Sequence, residues 1–92
     1  MATIHLPPQL AVFAEGQRRL TVQALDLNAA FAELDKVAPM VRSQIVEPGG
    51  QVRPFVGLFV DEEQVLELES ESGALPLSGT SQVQIVMSVA GG

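Results

Sequence analysis

The fold is decided by residues 27–41, LNAAFAELDKVAPMV. Their apolar side chains recur at steps of three and four positions, which is the period of one face of an α-helix. The recurring positions are Leu27, Ala30, Phe31, Leu34, Val37, Ala38 and Val41. Asp26 or Asn28 can accept hydrogen bonds from the free N–H groups at the helix start, and Pro39 disfavours helical geometry at the preceding residue. The pattern predicts one amphipathic helix that ends near Ala38.

Two segments before the helix alternate polar and apolar residues. Thr3–Leu6 alternates until it meets Pro7 and Pro8, where a strand must stop or lie at an edge because proline cannot donate to a ladder. Turn residues follow at positions 15–17, and Arg19–Ala24 alternates again. The two segments are therefore predicted to form a β-hairpin.

Two further strands are predicted after the helix. Pro54–Val60 is apolar on both faces, which is typical of a strand buried on both sides, so we place it centrally in the sheet. Phe55 and Phe59 share one face and are expected in the core. Gln82–Val89 is the last strand, and the apolar Val86 on its polar face predicts partial cover on that side as well.

The order of these elements predicts an α+β roll. One helix can cover one face of a mixed sheet of four or five strands. A hairpin followed by a crossover helix also allows the first and last strands to run parallel. The length fits a single domain over residues 1–92.

Composition excludes several classes of protein. Apolar residues make up 47% and charged residues 17%, which does not fit a disordered acidic tail or a coiled coil. There is no cysteine, and hence no disulfide, thiolate metal site or cysteine nucleophile. No apolar run is long enough to span a membrane, and no secretory signal is recognisable, so we expect a cytoplasmic protein.

The negative charge is concentrated in the second half of the chain. Residues 1–46 contain four acids and four bases, whereas residues 47–92 contain seven acids and one base, Arg53, which accounts for the net charge of −6. This charge disfavours nucleic acid and an anionic membrane surface as partners. A basic protein partner is compatible with it.

The usual catalytic residues are almost missing. His5 is the sole histidine, and no nucleophile or orienting acid lies near it in the sequence. Residues 48–50, Pro-Gly-Gly, lack the lysine and the following helix of a phosphate-binding loop. The acids of residues 61–71 lack calcium-loop spacing and are expected to form a solvated turn rather than a docking surface. We predict no catalytic residue and no metal site in the chain.

The last residues, Val89, Ala90, Gly91 and Gly92, are the remaining candidate site. Two glycines have no Cβ, so they allow a thin tail to enter a narrow cleft. The α-carboxylate is ionised at neutral pH and is a poor electrophile. It must be activated, for example as an acyl-adenylate, and another protein must do so because the chain has no nucleotide site. An idle, frayed terminus is the alternative interpretation.

The ending Val86–Gly92, VMSVAGG, resembles the MoaD/ThiS-type ubiquitin-like sulfur carriers, whose chains commonly finish in a hydrophobic strand and Val-Ala-Gly-Gly. Residues Arg53–Val65 are similar to the family's R-F-V-N-I-F-V-N-x-E-D-V stretch, most of all in the cysteine-biosynthesis group. Three departures stand out. Gly57 replaces a frequent Asn, residues 78–81 replace an Asp-Gly-Asp-Glu turn, and residues 87–88 replace Pro-Ala.

The resemblance implies a ubiquitin-like β-grasp roll with a flexible Gly-Gly tail at residues 89–92. In such proteins a ThiF/MoeB-like enzyme uses ATP to adenylate the terminal carboxylate, here that of Gly92, which is then converted to a thiocarboxylate. A sulfur-accepting synthase, cysteine synthase-like or other, takes the sulfur, and the tail residues Val89, Ala90 and Gly91 are held by the partners. The carrier is no enzyme, binds no cofactor itself and is a monomer when free.

Two alternative functions also depend on the Gly-Gly tail. The chain could be a ubiquitin-like protein modifier that forms isopeptide bonds through Gly92, although Lys36 is its sole lysine. It could also be the small subunit of a molybdopterin synthase-like complex, with its tail inserted into the larger subunit.

Overall fold

The computed structural model describes residues 1–68 and 75–87. Within these ranges the chain forms a mixed five-stranded sheet with the strand order β2-β1-β5-β3-β4. The strands are β1 (Ala2–His5), β2 (Arg19–Val22), β3 (Val56–Val60), β4 (Glu63–Gln64) and β5 (Gln82–Met87). β1 and β2 form the predicted antiparallel hairpin, and the first and last strands run parallel, as predicted. β5 is the central strand, between β1 and the antiparallel β3.

The main helix is α2, which follows the hairpin. Two shorter helices accompany it, and the bounds are α1 (Pro8–Ala11), α2 (Leu27–Val37) and α3 (Val41–Ile45). The predicted α2 is confirmed: the backbone N–H of Ala29 donates to Oδ1 of Asp26 at 2.7 Å, and the helix ends one residue before Ala38. Of the two candidate caps, Asp26 is the one used. α1 was not predicted from the sequence.

The core lies between α2 and one face of the sheet. Inward residues alternate with outward residues along every long strand, so that Val56, Leu58 and Val60 of β3 are buried while Gly57 and Phe59 are partly exposed. The largest fully buried side chains are Phe31, Ile4, Leu10, Leu27, Leu34, Ile45, Leu58, Val41 and Val83. The apolar face of α2 and the inward faces of the strands therefore form a single core layer.

The expectation that Phe55 and Phe59 belong to the core is wrong. Phe55 precedes β3 and is 56% exposed, and Phe59 lies on the sheet face opposite α2. β3 is accordingly buried on one face, and it lies beside the central strand rather than at the centre. Val86 is 48% exposed and is therefore only partly covered, as expected. The physical reason for the one-sided burial of β3 is that the single long helix covers one face, and no second layer covers the other within the described residues.

A two-residue turn joins β3 to β4 in the acidic part of the chain. Both of its residues have positive φ, 48° at Asp61 and 75° at Glu62, as a tight hairpin requires. Asp61 also holds the start of β5: its Oδ1 accepts from the backbone N–H of Gln82 at 2.8 Å, and its own N–H donates to Gln82 O at 2.9 Å. The prediction of a solvated turn concerned the acids of residues 61–71. The acids described there, Asp61, Glu62, Glu63 and Glu67, are exposed, as predicted.

Candidate functional site: the end of the central strand

The central strand β5 leads directly to the predicted site. Its last described residue, Met87, pairs with Val56 at the start of β3, and the last two residues of the predicted strand, Ser88 and Val89, lie outside the described residues. The predicted site residues Val89, Ala90, Gly91 and Gly92 lie outside the described residues, and their roles stay predictions. Five residues join Met87 to the α-carboxylate of Gly92, and a fully extended segment of that length spans at most about 18 Å. Whatever acts on Gly92 must therefore approach this end of the sheet.

A groove runs beside the last residues of β5. β1 pairs with β5 only as far as His5 and Gln84, and the chain then leaves the sheet through Pro7 and Pro8. β5 continues for three residues without a strand on that side, which leaves a cavity of about 740 Å³. It is lined by His5, Leu6, Pro7, Pro8, Gln9, Arg18, Arg19, Gln84, Ile85, Val86 and Met87. The groove thus combines apolar walls with two arginines, and none of its described lining residues is acidic.

The face of the sheet opposite α2 is called the open face. On it, one row of side chains runs across all five strands and borders the groove. The strand registers place side by side, from β2 to β4, the residues Arg19, His5, Gln84, Phe59 and Gln64. Arginine therefore lies at one edge of the row and an aromatic side chain lies beyond its centre. The face is mixed rather than uniformly polar.

An apolar patch occupies the open face next to the end of β5. Gly57 of β3 pairs with Val86 of β5, and a Cβ built on Gly57 would stand 2.8 Å from Cγ2 of Val86 and 2.9 Å from Cε1 of Phe59. Such distances show that both side chains lean over the glycine. Phe59 and Val86 form an apolar surface there because position 57 has no side chain.

His5 is a strand residue, as predicted. Its Nε2 is hydrogen-bonded to Oε1 of Gln82, and among the described residues no hydroxyl or carboxylate forms a hydrogen bond with the ring. In residues 1–68 and 75–87, no group of three His, Asp or Glu side chains is arranged to hold a metal ion. None of the helices in these ranges is long and apolar enough to cross a bilayer.

Sequence reasoning missed the two arginines at the groove. Arg18 precedes β2 and Arg19 is its first residue, and the sequence pattern placed only Arg19 in a strand and gave neither residue a function. The signal that could have found them is a pair of adjacent cations in a chain with net charge −6, placed directly opposite the Pro-Pro interruption of the hairpin.

Comparison with known proteins identifies the fold. No family model and no curated protein matches the sequence. Among solved structures, CysO of Mycobacterium tuberculosis is 22% identical, with a TM-score of 0.81 over 97% of this chain and 100% of that one. A chain of the BexX/CysO complex of Amycolatopsis orientalis is 16% identical, with a TM-score of 0.80 over the whole of both chains.

Small archaeal modifiers are similar as well. SAMP1 of Haloferax volcanii is 18% identical and has a TM-score of 0.69 over 99% of this chain and 98% of that one. Because these agreements extend over nearly whole chains, they show that this protein has the ubiquitin-like β-grasp fold. The fold predicted from the sequence is thereby confirmed.

Proposed function

We propose that the protein is a sulfur carrier that acts through the carboxylate of Gly92 and performs no catalysis itself. The observation that carries the proposal is the position of β5: the central strand of a CysO-like fold is described as far as Met87, and Gly92 of the Gly-Gly ending follows five residues later. Pairing of Met87 with Val56 of β3 anchors the root of the tail, and glycines then leave the tail thin enough for a partner's cleft.

The chemistry requires two steps on partner enzymes. A carboxylate oxygen of Gly92 attacks the α-phosphorus of ATP bound to a ThiF/MoeB-like enzyme, and pyrophosphate leaves. Hydrosulfide then attacks the carbonyl carbon of this mixed anhydride, AMP leaves, and loss of the S–H proton leaves the terminus as a thiocarboxylate. A sulfur-accepting synthase, cysteine synthase-like or other, finally takes the sulfur. The dependence on ATP fits a cytoplasmic protein.

The sharpest test is intact-mass spectrometry after incubation with ATP, sulfide and the ThiF/MoeB-like enzyme of the same genome. The expected product is heavier by the difference between one sulfur and one oxygen, and it reverts to the original mass when the sulfur is transferred. Deletion of Gly92 should abolish the mass change, whereas Gln64→Ala, an exposed change on β4, should leave it intact. Failure of every activating enzyme of that genome to adenylate the wild-type chain would refute the proposal.

A protein modifier is the second candidate function, because SAMP1, by its name a small archaeal modifier protein, shares the fold. In that case the same incubation with cell extract would attach the chain through Gly92 to lysines of other proteins. Attachment without any thiocarboxylate would favour the modifier over the carrier. Stable copurification with a larger synthase subunit would instead favour the third expectation, a molybdopterin synthase-like small subunit.

A further inference from the structure

We propose that the groove beside the end of β5 is the docking surface for the adenylating enzyme, and that this enzyme presents acidic side chains to Arg18 and Arg19. The inference rests on the proposed function and adds the chemistry of the partner surface. It also reverses, at this end of the molecule, the expectation of a basic partner that the net charge of −6 suggested.

The reach of the tail determines where the enzyme touches the carrier. An active site that receives Gly92 lies at most about 18 Å from Met87. The body of an enzyme around that site must therefore lie against the surface that surrounds Met87. That surface comprises the groove, with Arg18 and Arg19 in its wall, and the apolar patch of Phe59 and Val86.

The groove arginines and the acidic turn lie on different strands of the sheet. Among the described residues, the lining of the groove has two arginines and no acid. Arg19 begins β2, whereas the exposed acids Asp61, Glu62 and Glu63 lie where β3 turns into β4, and β2 and β3 are three strand spacings apart. Three spacings correspond to about 14 Å, which exceeds the Debye length of about 8 Å at physiological salt. The acids therefore lower the positive potential at the arginines only weakly.

Both groove arginines are available for a partner. Arg18 and Arg19 are exposed, and neither forms an ion pair with another described residue. The other cations differ in this respect. Lys36 pairs with Glu33 at 2.6 Å, Arg42 pairs with Asp35 at 3.2 Å, and Nε of Arg53 donates to the carbonyl of Ser43. Apolar walls with a charged rim are the usual composition of a protein interface.

The test compares single charge reversals that change the net charge equally. Arg18→Glu and Arg19→Glu are set against Lys36→Glu, whose exposed side chain does not line the groove. Pyrophosphate release by the ThiF/MoeB-like enzyme of the same genome is measured as a function of carrier concentration. Reversal of a rim charge lowers the association rate, so we expect KM for the carrier to rise about 5- to 30-fold for each arginine variant, with kcat unchanged. Lys36→Glu should stay within about 2-fold of wild type.

Charge-preserving variants and the salt dependence of KM test whether the charge of the arginines is the cause. Arg18→Lys and Arg19→Lys should retain a near-wild-type KM because the charge is kept. Raising the salt concentration should increase the wild-type KM and narrow its difference from the arginine variants. Thermal unfolding of each variant excludes misfolding as the cause. If the glutamate variants match Lys36→Glu, the docking inference is overturned while the carrier function stands; if the wild-type chain is not adenylated at all, both are overturned.

Discussion

Gly57 of β3 and Val86 of β5 lie directly opposite each other on the open face of the sheet, and a Cβ at Gly57 would stand 2.8 Å from Cγ2 of Val86. Real Cβ atoms essentially never show that distance, so a side chain at position 57 requires Val86 and Phe59 to shift. The apolar patch of Phe59 and Val86 therefore depends on the absence of a side chain at position 57.

We expect Gly57→Ala to displace Phe59 and Val86 and to destabilise the fold by about 1–2 kcal/mol, the usual cost of overpacking. Urea denaturation measures the change. The matched control is Gly49→Ala, because a Cβ there has no atom within 4 Å and should alter stability by less than about 0.5 kcal/mol. Equal stability of the two variants would contradict the described packing over Gly57.

We expect Glu62→Gly to stabilise the protein by about 1 kcal/mol, because Glu62 has a φ of 75°, which glycine adopts without steric cost. Glu62→Gln separates the backbone effect from the loss of a charge and should change stability much less. Glu63→Gly, one residue further on in β4, should instead destabilise. A lower urea midpoint for Glu62→Gly than for wild type would refute the left-handed conformation of this turn residue.

We expect Asp26→Ala to lower the free energy of unfolding by about 1 kcal/mol, because the 2.7 Å bond from Ala29 N to Oδ1 of Asp26 caps α2. Asn28→Ala is the control, since Asn28 is exposed and alanine favours a helix interior. Should both variants lose the same stability, Asp26 would not be the dominant cap.

We expect Phe31→Ala to destabilise by about 3–5 kcal/mol and Phe55→Ala by less than about 1 kcal/mol. Phe31 is fully buried on the inner face of α2, and the centre of its ring lies 5.5 Å from the guanidinium carbon of Arg42. Phe55 is 56% exposed. Thermal or urea unfolding distinguishes the two. A large loss for Phe55→Ala would restore the sequence-based placement of this residue in the core.

Much of the fold could be predicted from local patterns, but the use of the second sheet face could not. The apolar run at residues 54–60 is the signature of a strand buried on both faces, and the same run results when one face is buried and the other carries an exposed apolar patch. Residues 54–60 alone do not distinguish the two cases. The same holds for the candidate site. The Gly-Gly ending could be recognised in the sequence, whereas the groove beside Met87 could not.

By itself the sequence determined the position of α2 and the β1–β2 hairpin, and it allowed β1 and β5 to run parallel. Periodicity and caps depend on residues that are near one another in the chain, and the strand directions depend on the order of elements. Only the tertiary structure decided that Arg18 and Arg19 line a groove with Met87, and that Phe59 and Val86 lean over Gly57. These groups are separated by tens of residues along the chain. Their proximity arises from strand order and register, which long-range packing against α2 selects.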